Sequence, residues 1–303
     1  MRIGIVGMGW VGSSVAISTL HAGLARELLL NDAKTALAEG EALDLAHGDA
    51  FYPPADVRAV TLEDMADADA VVIAAGRGSH PGETRLDLLR ENAAIVSAIA
   101  SRLSSMRGIL IVVTNPLDVM TLVAQRASGL PPARVIGTGT MLDSARLRYL
   151  VGQEIGVEPR SVHAYVVGEH GDSSVPLWSS ARVGGSPLRA WPGWDASRER
   201  ALADRMRRAA YEIISRKGAT NHAIGLVTAN LLRSVLRDER RVLTVSRVQE
   251  GAFGVRQLAI SLPGVVGITG AAHVIEPDLS ADERVALERS VSVLTTAAAQ
   301  LNA

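Results

Sequence analysis

Met1-Arg2-Ile3-Gly4-Ile5-Val6-Gly7-Met8-Gly9-Trp10-Val11-Gly12 is the stretch on which the fold turns. Arg2 to Val6 is a short apolar run that ends in glycine, and Val11 to Leu20 carries apolar residues at helical spacing. Strand, tight turn and helix follow in that order, which is the context a dinucleotide fingerprint needs. Gly7 permits the turn, Gly9 lets backbone approach a pyrophosphate, and Gly12 lets helix and strand pack closely. The helix N-terminus then faces the phosphates, with Trp10 and Val11 beside them. A second apolar run, Glu27 to Leu30, leads to Asp32. An acid about 20 residues after the last glycine can accept hydrogen bonds from a ribose 2′-hydroxyl and would repel a 2′-phosphate, so NAD is expected over NADP.

The same rhythm continues outward. After a helical stretch to about His47, buried-strand runs appear at Val57–Val60, Ala70–Ala75, Ile109–Val113 and Val135–Ile136, with helical patterns at Asp87–Leu103 and Leu117–Ala127. Strands alternating with helices predict a Rossmann-type doubly wound parallel sheet, covered on both faces. The pattern changes near residue 141, giving two domains: a nucleotide-binding domain over 1–141 and an α+β substrate domain over 142–303. In the second, a helix is expected at Leu142–Gly152, a strand at Val162–Val167 and a charged helix at Arg198–Arg216. Two antiparallel strands at Arg241–Val248 and Ala252–Leu262 and an amphipathic closing helix at Ser280–Leu301 complete it.

Composition narrows the chemistry. Across 303 residues, 31 basic and 32 acidic side chains give a net charge of -1, so there is no overall positive field for nucleic acid or an anionic membrane. No apolar run approaches the roughly 20 residues of a membrane span, and the sequence does not start with a secretory leader pattern, so a cytoplasmic protein is expected. With no cysteine, disulfides, iron–sulfur clusters, thiolate zinc sites and thiol nucleophiles are all excluded, and a metal site is not expected. Histidine, carboxylates, arginine and a bound cofactor remain.

Leu142-Asp143-Ser144-Ala145-Arg146 places an acid and an arginine three apart on one helix face. Val167-Gly168-Glu169-His170-Gly171-Asp172 places a histidine in a glycine-flanked turn after a strand, where it can be exposed and aimed. Taken separately, these features also fit a structural ion pair and an inert histidine.

Together with Pro81-Gly82-Glu83-Thr84-Arg85, Thr114-Asn115-Pro116-Leu117-Asp118 and Ile136-Gly137-Thr138-Gly139-Thr140, they resemble the L-lactate/malate dehydrogenase family over nearly the whole chain, most closely its bacterial lactate branch. The resemblance implies NAD-dependent hydride transfer on a small 2-hydroxy or 2-oxo acid. It implies that His170 exchanges the hydroxyl proton, that Asp143 orients the imidazole, and that Arg146 grips the substrate carboxylate. Arg85, on a closing loop, would polarise the carbonyl. Asn115 would hold the nicotinamide ribose near the reacting oxygen, Thr220 would line the substrate pocket, and Ile224 would pack on the nicotinamide. Gly76 and Arg77 would sit beside the cofactor, with Arg77 meeting the pyrophosphate.

Ser79 stands where the family's lactate enzymes carry Gln and its malate enzymes carry Arg, so it argues against an ordinary malate enzyme and leaves room for a longer side chain. A malate dehydrogenase of the lactate-like type and an enzyme for larger 2-oxo acids remain as alternatives, and a non-catalytic NAD sensor is a third reading. Arg148 and His163 match a pair that meets fructose 1,6-bisphosphate at a subunit interface in allosteric relatives; they also fit an interface arginine and a strand histidine with no effector. A homo-oligomer, dimer or tetramer, is expected.

Overall fold

The computed structural model describes residues 1–78 and 85–301, without the side chain of Arg85. The chain alternates from its start: β1 (Arg2–Val6), α1 (Trp10–His21), β2 (Glu27–Asn31), α2 (Thr35–His47), β3 (Asp56–Ala59), β4 (Ala70–Ile73), α3 (Arg85–Arg102), β5 (Ile109–Val112), α4 (Leu117–Ser128), β6 (Val135–Gly137) and α5 (Met141–Ile155). Five short strands come next, β7 (Val162–His163), β8 (Val166–Val167), β9 (Val175–Pro176), β10 (Arg182–Val183) and β11 (Ser186–Pro187). The chain ends in α6 (Ala196–Lys217), α7 (His222–Leu236), β12 (Arg241–Glu250), β13 (Arg256–Gly267), β14 (Gly270–Val274) and α8 (Ala281–Ala299).

Strands β3-β2-β1-β4-β5-β6 are parallel, in the order of a doubly wound sheet. Their sequences are continuous apolar runs because both faces are covered. Alternate residues serve opposite cores: Leu29, Val71, Ile73 and Leu110 face one, while Leu28, Leu30, Val72 and Ile111 face the other. Helices α3, α4 and α8 close the first core, and α1 and α7 close the second. A third, smaller core gathers Leu147, Val166, Trp178, Trp194 and Met206 around α5 and α6.

Local chemistry explains the helix ends. Asp195 caps α6 by accepting from the amides of Ser197 and Arg198, and Ser280 with Glu283 forms a reciprocal capping box on α8. Helices α4, α5 and α6 stop at left-handed glycines, Gly129, Gly156 and Gly218.

The two antiparallel strands expected in the second half join the parallel sheet: β12 pairs antiparallel with β6, and β13 and β14 extend it to nine strands. Two features differ from the sequence expectation. The single strand expected over Val162–Val167 is two, β7 and β8, in different small sheets. Between them the Ala164 carbonyl accepts from Arg148 and the Tyr165 carbonyl from the Leu177 amide, so this backbone is spent on partners outside one ladder. The strand expected from Ala252 begins at Arg256, because Ala252–Gly254 forms a 3₁₀ turn with Phe253 at φ 50°.

Candidate active site

The nucleotide end is shaped by sterics. Gly7 has φ 95°, and a Cβ there would overlap the backbone of Ala75. A Cβ on Gly12 would run into the Gly7 carbonyl, whereas one on Gly9 would meet nothing within 4 Å. Two glycines are therefore needed for close packing, and the middle one leaves open room over the turn. The α1 N-terminus carries no side-chain cap and no acid in its first turn, so its amides are available to an anion. Trp10 is largely exposed there, and Val11 packs against the core.

Asp32 follows β2, with one carboxylate oxygen accepting from the Met8 amide and the other from the Lys34 amide, both at 2.8 Å. A carboxylate has about four acceptor sites, so two remain for a ribose hydroxyl. It lines a cavity of about 470 Å³ with Asn31, Thr35, Val60 and Thr61. Open turn, uncapped helix and anchored acid fit NAD.

Gly76 and Arg77 reach this region from β4. The Arg77 guanidinium pairs with Glu91 on α3. Asn92, buried at 2% exposure, accepts from the Arg77 amide at 2.9 Å and donates to the carbonyls of Arg77 and Asn115. One amide side chain thus ties the base of this loop to Asn115, which precedes Pro116 through a cis peptide. Ser79 lies outside the described residues, as does the side chain of Arg85, whose backbone begins α3.

The catalytic end is assembled from distant segments. His170 Nδ1 lies 2.6 Å from Asp143 Oδ2, and Arg146 Nη1 donates to Asp143 Oδ1 at 3.1 Å. Asp143 and Arg146 share a face of α5, as their spacing predicts. Their side chains are 9% and 14% exposed, and that of His170 is 24% exposed. Burial alone would raise the Asp143 carboxyl, but the charge and hydrogen bond of His170, with Arg146, hold it below the usual range. Burial works against a charged His170, yet Asp143 outweighs it and raises the imidazole above its ordinary value of 6.5. With Nδ1 engaged by a carboxylate, Nε2 is left to exchange a proton.

The turn carrying His170 is held at three successive amides. Gly168 and Ser261 of β13 exchange backbone hydrogen bonds, the Glu169 amide donates to Ser290 Oγ of α8 at 2.7 Å, and the His170 amide donates to Asp118 Oδ2 of α4 at 2.7 Å. Ser290 and Asn92 are not singled out from sequence, and Asp118 enters there only as the end of the Thr114–Asp118 motif, without a role. Their signal was faint: a polar residue inside an otherwise apolar helical face.

Arg146 and Thr220 line one cavity of about 590 Å³ between α5, α6 and the start of α7, with Leu142, Arg208 and Asn221. His170, Asn115 and Ile224 are not part of that lining. Ile224 sits on α7 against the core shared with Val11 and Met141. Asn221 donates to Ser14 Oγ at 2.9 Å, binding the start of α7 to α1.

Arg148 donates to the carbonyl of Ala164, the residue after His163, at 3.0 Å, and stacks over the Tyr165 ring at 5.3 Å. The two basic residues are therefore neighbours, with His163 exposed on β7.

Residues 1–137 match the family model for the lactate/malate dehydrogenase NAD binding domain, and residues 140–303 match that for the lactate/malate dehydrogenase alpha/beta C-terminal domain. Fold, nucleotide turn and these matches define an NAD-dependent oxidoreductase acting on 2-hydroxy acids. The L-lactate dehydrogenase of Thermus aquaticus is 46% identical over 99% of both chains, and that of Synechococcus sp. (strain JA-3-3Ab) is 43% identical over 97% of both. The solved structure of the minor L-lactate dehydrogenase from Enterococcus mundtii superposes with a TM-score of 0.96 at 38% identity, covering 99% of this chain and 98% of that one. The chain belongs to the lactate/malate dehydrogenase family.

Proposed function

We propose that the protein is an L-lactate dehydrogenase that reduces pyruvate reversibly, with a substrate range shifted or widened by Ser79. The observation that carries the reading is the Asp143–His170 hydrogen bond of 2.6 Å with Arg146 on the same carboxylate. Bound NAD supplies or accepts the hydride. His170 delivers the proton from Nε2 to the forming hydroxyl and takes it back in the oxidative direction. Asp143 holds the ring orientation through Nδ1 and stabilises the imidazolium. Arg146 binds the substrate carboxylate, and Thr220 faces it across the shared cavity. Arg85 polarises the carbonyl, and Asn115 holds the nicotinamide ribose beside it. Gly7, Gly9, Trp10, Val11, Gly12, Asp32, Gly76, Arg77 and Ile224 form the cofactor contacts.

The division into 1–141 and 142–303 follows the same roles, cofactor before α5 and proton chemistry after it. A cytoplasmic homo-oligomer, dimer or tetramer, is the state in which these roles are expected. Arg148 with His163 is assigned to a phosphorylated effector of the fructose 1,6-bisphosphate type, on the strength of their adjacency.

Rates of NADH oxidation with pyruvate, oxaloacetate and branched or aromatic 2-oxo acids test the substrate reading, with and without the bisphosphate. Pyruvate or a larger apolar 2-oxo acid is expected to give the highest kcat/KM. Oxaloacetate ahead by more than about tenfold, some 1.4 kcal/mol in transition-state preference, sinks it. An apparent KM for pyruvate that ignores the bisphosphate removes the effector site.

A further inference from the structure

Asp118 is a buried acid with no place in the chemistry described so far. It sits in the first turn of α4 at 2% exposure, directly beneath the catalytic turn. Its Oδ2 accepts from the His170 amide at 2.7 Å and its Oδ1 from the Ser261 hydroxyl at 3.2 Å. Both oxygens are used, and both partners belong to the structure that aims the imidazole. Ser261 is itself the residue whose backbone pairs with Gly168. A neutral side chain such as Asn could keep both contacts, because its Oδ1 accepts from the amide and its Nδ2 donates to the hydroxyl oxygen, which then turns from donor to acceptor. A charge placed there instead needs a reason, since an isolated buried carboxylate is expensive.

We propose that Asp118 is a positioning residue for proton transfer at His170: it fixes the backbone that aims the imidazole and adds a second buried negative charge favouring the imidazolium. The proposal rests on the acid/base role of His170. The charged groups acting on His170 are Asp143 and Arg146 from α5 and Asp118 from α4, while Glu169, whose carboxylate accepts from Ser173, bears on Asp118 and pushes it up. Among the described residues, the strands beside Asp118 contribute the hydroxyls of Ser246 and Ser261 to it. Arg146 opposes the imidazolium and Asp143 favours it through the ring, so Asp118 adds to Asp143 from the opposite, backbone side. Burial raises the Asp118 carboxyl to about 6, with the Ser246 hydroxyl first and then the His170 amide and imidazole pulling it back down. At neutral pH it is therefore mostly ionised and able to act on His170.

Two variants separate the two contributions. Asp118→Asn keeps the acceptor and removes the charge; Asp118→Ala removes both. The His170 ring is titrated by ¹⁵N NMR in the full-length protein with NAD added, its signal identified by its loss in His170→Gln. Asp118→Asn is expected to lower the His170 midpoint by about half a unit or more. The alkaline limb of kcat/KM for 2-oxo acid reduction should move down by the same amount. Well below that midpoint, kcat is expected to fall at least tenfold further in Asp118→Ala than in Asp118→Asn, with KM little changed. An unmoved midpoint in Asp118→Asn overturns the electrostatic contribution, even if Asp118→Ala does not fold. Equal kcat in the two variants overturns the aiming contribution. The ring titration needs no turnover, so a shifted midpoint in a protein inactive on every 2-oxo acid would break the substrate reading and overturn the role in proton transfer, leaving only the electrostatic effect of Asp118 on the ring; activity with an unmoved midpoint would do the reverse.

Discussion

The turn at Gly7–Gly12 and the turn at Gly168–Asp172 have comparable parts in the proposed function, each presenting backbone or a side chain to a ligand, yet they are built in opposite ways. The first is shaped almost entirely by its own neighbours: β1 before it, α1 after it and the Ala75 backbone beside it. The second is suspended from α4, α5, β13 and α8, elements that are far apart along the chain. A turn of the first kind is written in consecutive residues. One of the second kind depends on every element that reaches it, and damage to any of them is felt at the imidazole.

That contrast is broken most sharply at His170. His170→Gln is expected to lower kcat for 2-oxo acid reduction by about 10³-fold while leaving NAD affinity intact, because a positioned acid/base group contributes on the order of 10² to 10⁴. In the wild type, reduction needs the imidazolium, so kcat/KM should fall as pH rises through a midpoint above 6.5, and the fall should vanish in the variant. Steady-state rates across pH, with isothermal titration of NAD, check both.

The local turn is broken by Gly12→Ala. A methyl group there meets the Gly7 carbonyl, which belongs to the backbone and cannot swing away, so a loss of about 3 kcal/mol in unfolding free energy or failure to fold is expected. Gly9→Ala sharpens the same point. Its methyl group meets open space, so stability should change by less than about 0.5 kcal/mol while NAD binding weakens roughly tenfold. Denaturant melts and cofactor titrations of the pair separate packing from ligand approach.

An effect of similar size to the loss of cofactor binding in Gly9→Ala concerns Asp118. A carboxyl whose folded value is raised to about 6 from an unfolded 3.8 stabilises the fold while protonated and loses that stability as pH rises through the folded value. Between pH 5 and pH 8 this should cost the wild type roughly 1.5 kcal/mol that Asp118→Asn does not lose. Urea melts of both proteins at the two pH values check it. Parallel curves would mean that the carboxyl titrates as it does in the unfolded chain.

How much of this was legible follows from the same contrast. Gly7, Gly9, Gly12 and Asp32 could be read because their roles depend on sterics and on a fixed offset along one strand–helix–strand unit. The parallel strands could be read because burial on both faces leaves continuous apolar runs. Asp143 and Arg146 were legible as a helical pair, but their meeting with His170 was not a property of either segment alone. Asp118 went unassigned because an acid in the first turn of a helix already has an ordinary explanation in the helix dipole. Val162–Val167 reads as one strand because its apolar pattern is continuous; the carbonyls of Ala164 and Tyr165 are claimed by Arg148 and Leu177, and no periodicity encodes those partners. The joining of β12 to β6 was equally invisible, since an edge strand shows its partner only in three dimensions.

That last junction is narrow. Ser246 pairs with Gly137, and a side chain at Gly137 would press on the Thr121 hydroxyl and on Ser246 itself. A single residue without a side chain thus lets one sheet run from the nucleotide turn to the strands that hold the His170 turn. The halves are consequently poor candidates for separate production or for exchange between relatives. Severing the chain between 141 and 142 would bare the hydrogen-bonding edge of β6, and an uncovered flat edge is an invitation to aggregate. The boundary proposed to divide the chemistry thus runs through the middle of a nine-stranded sheet.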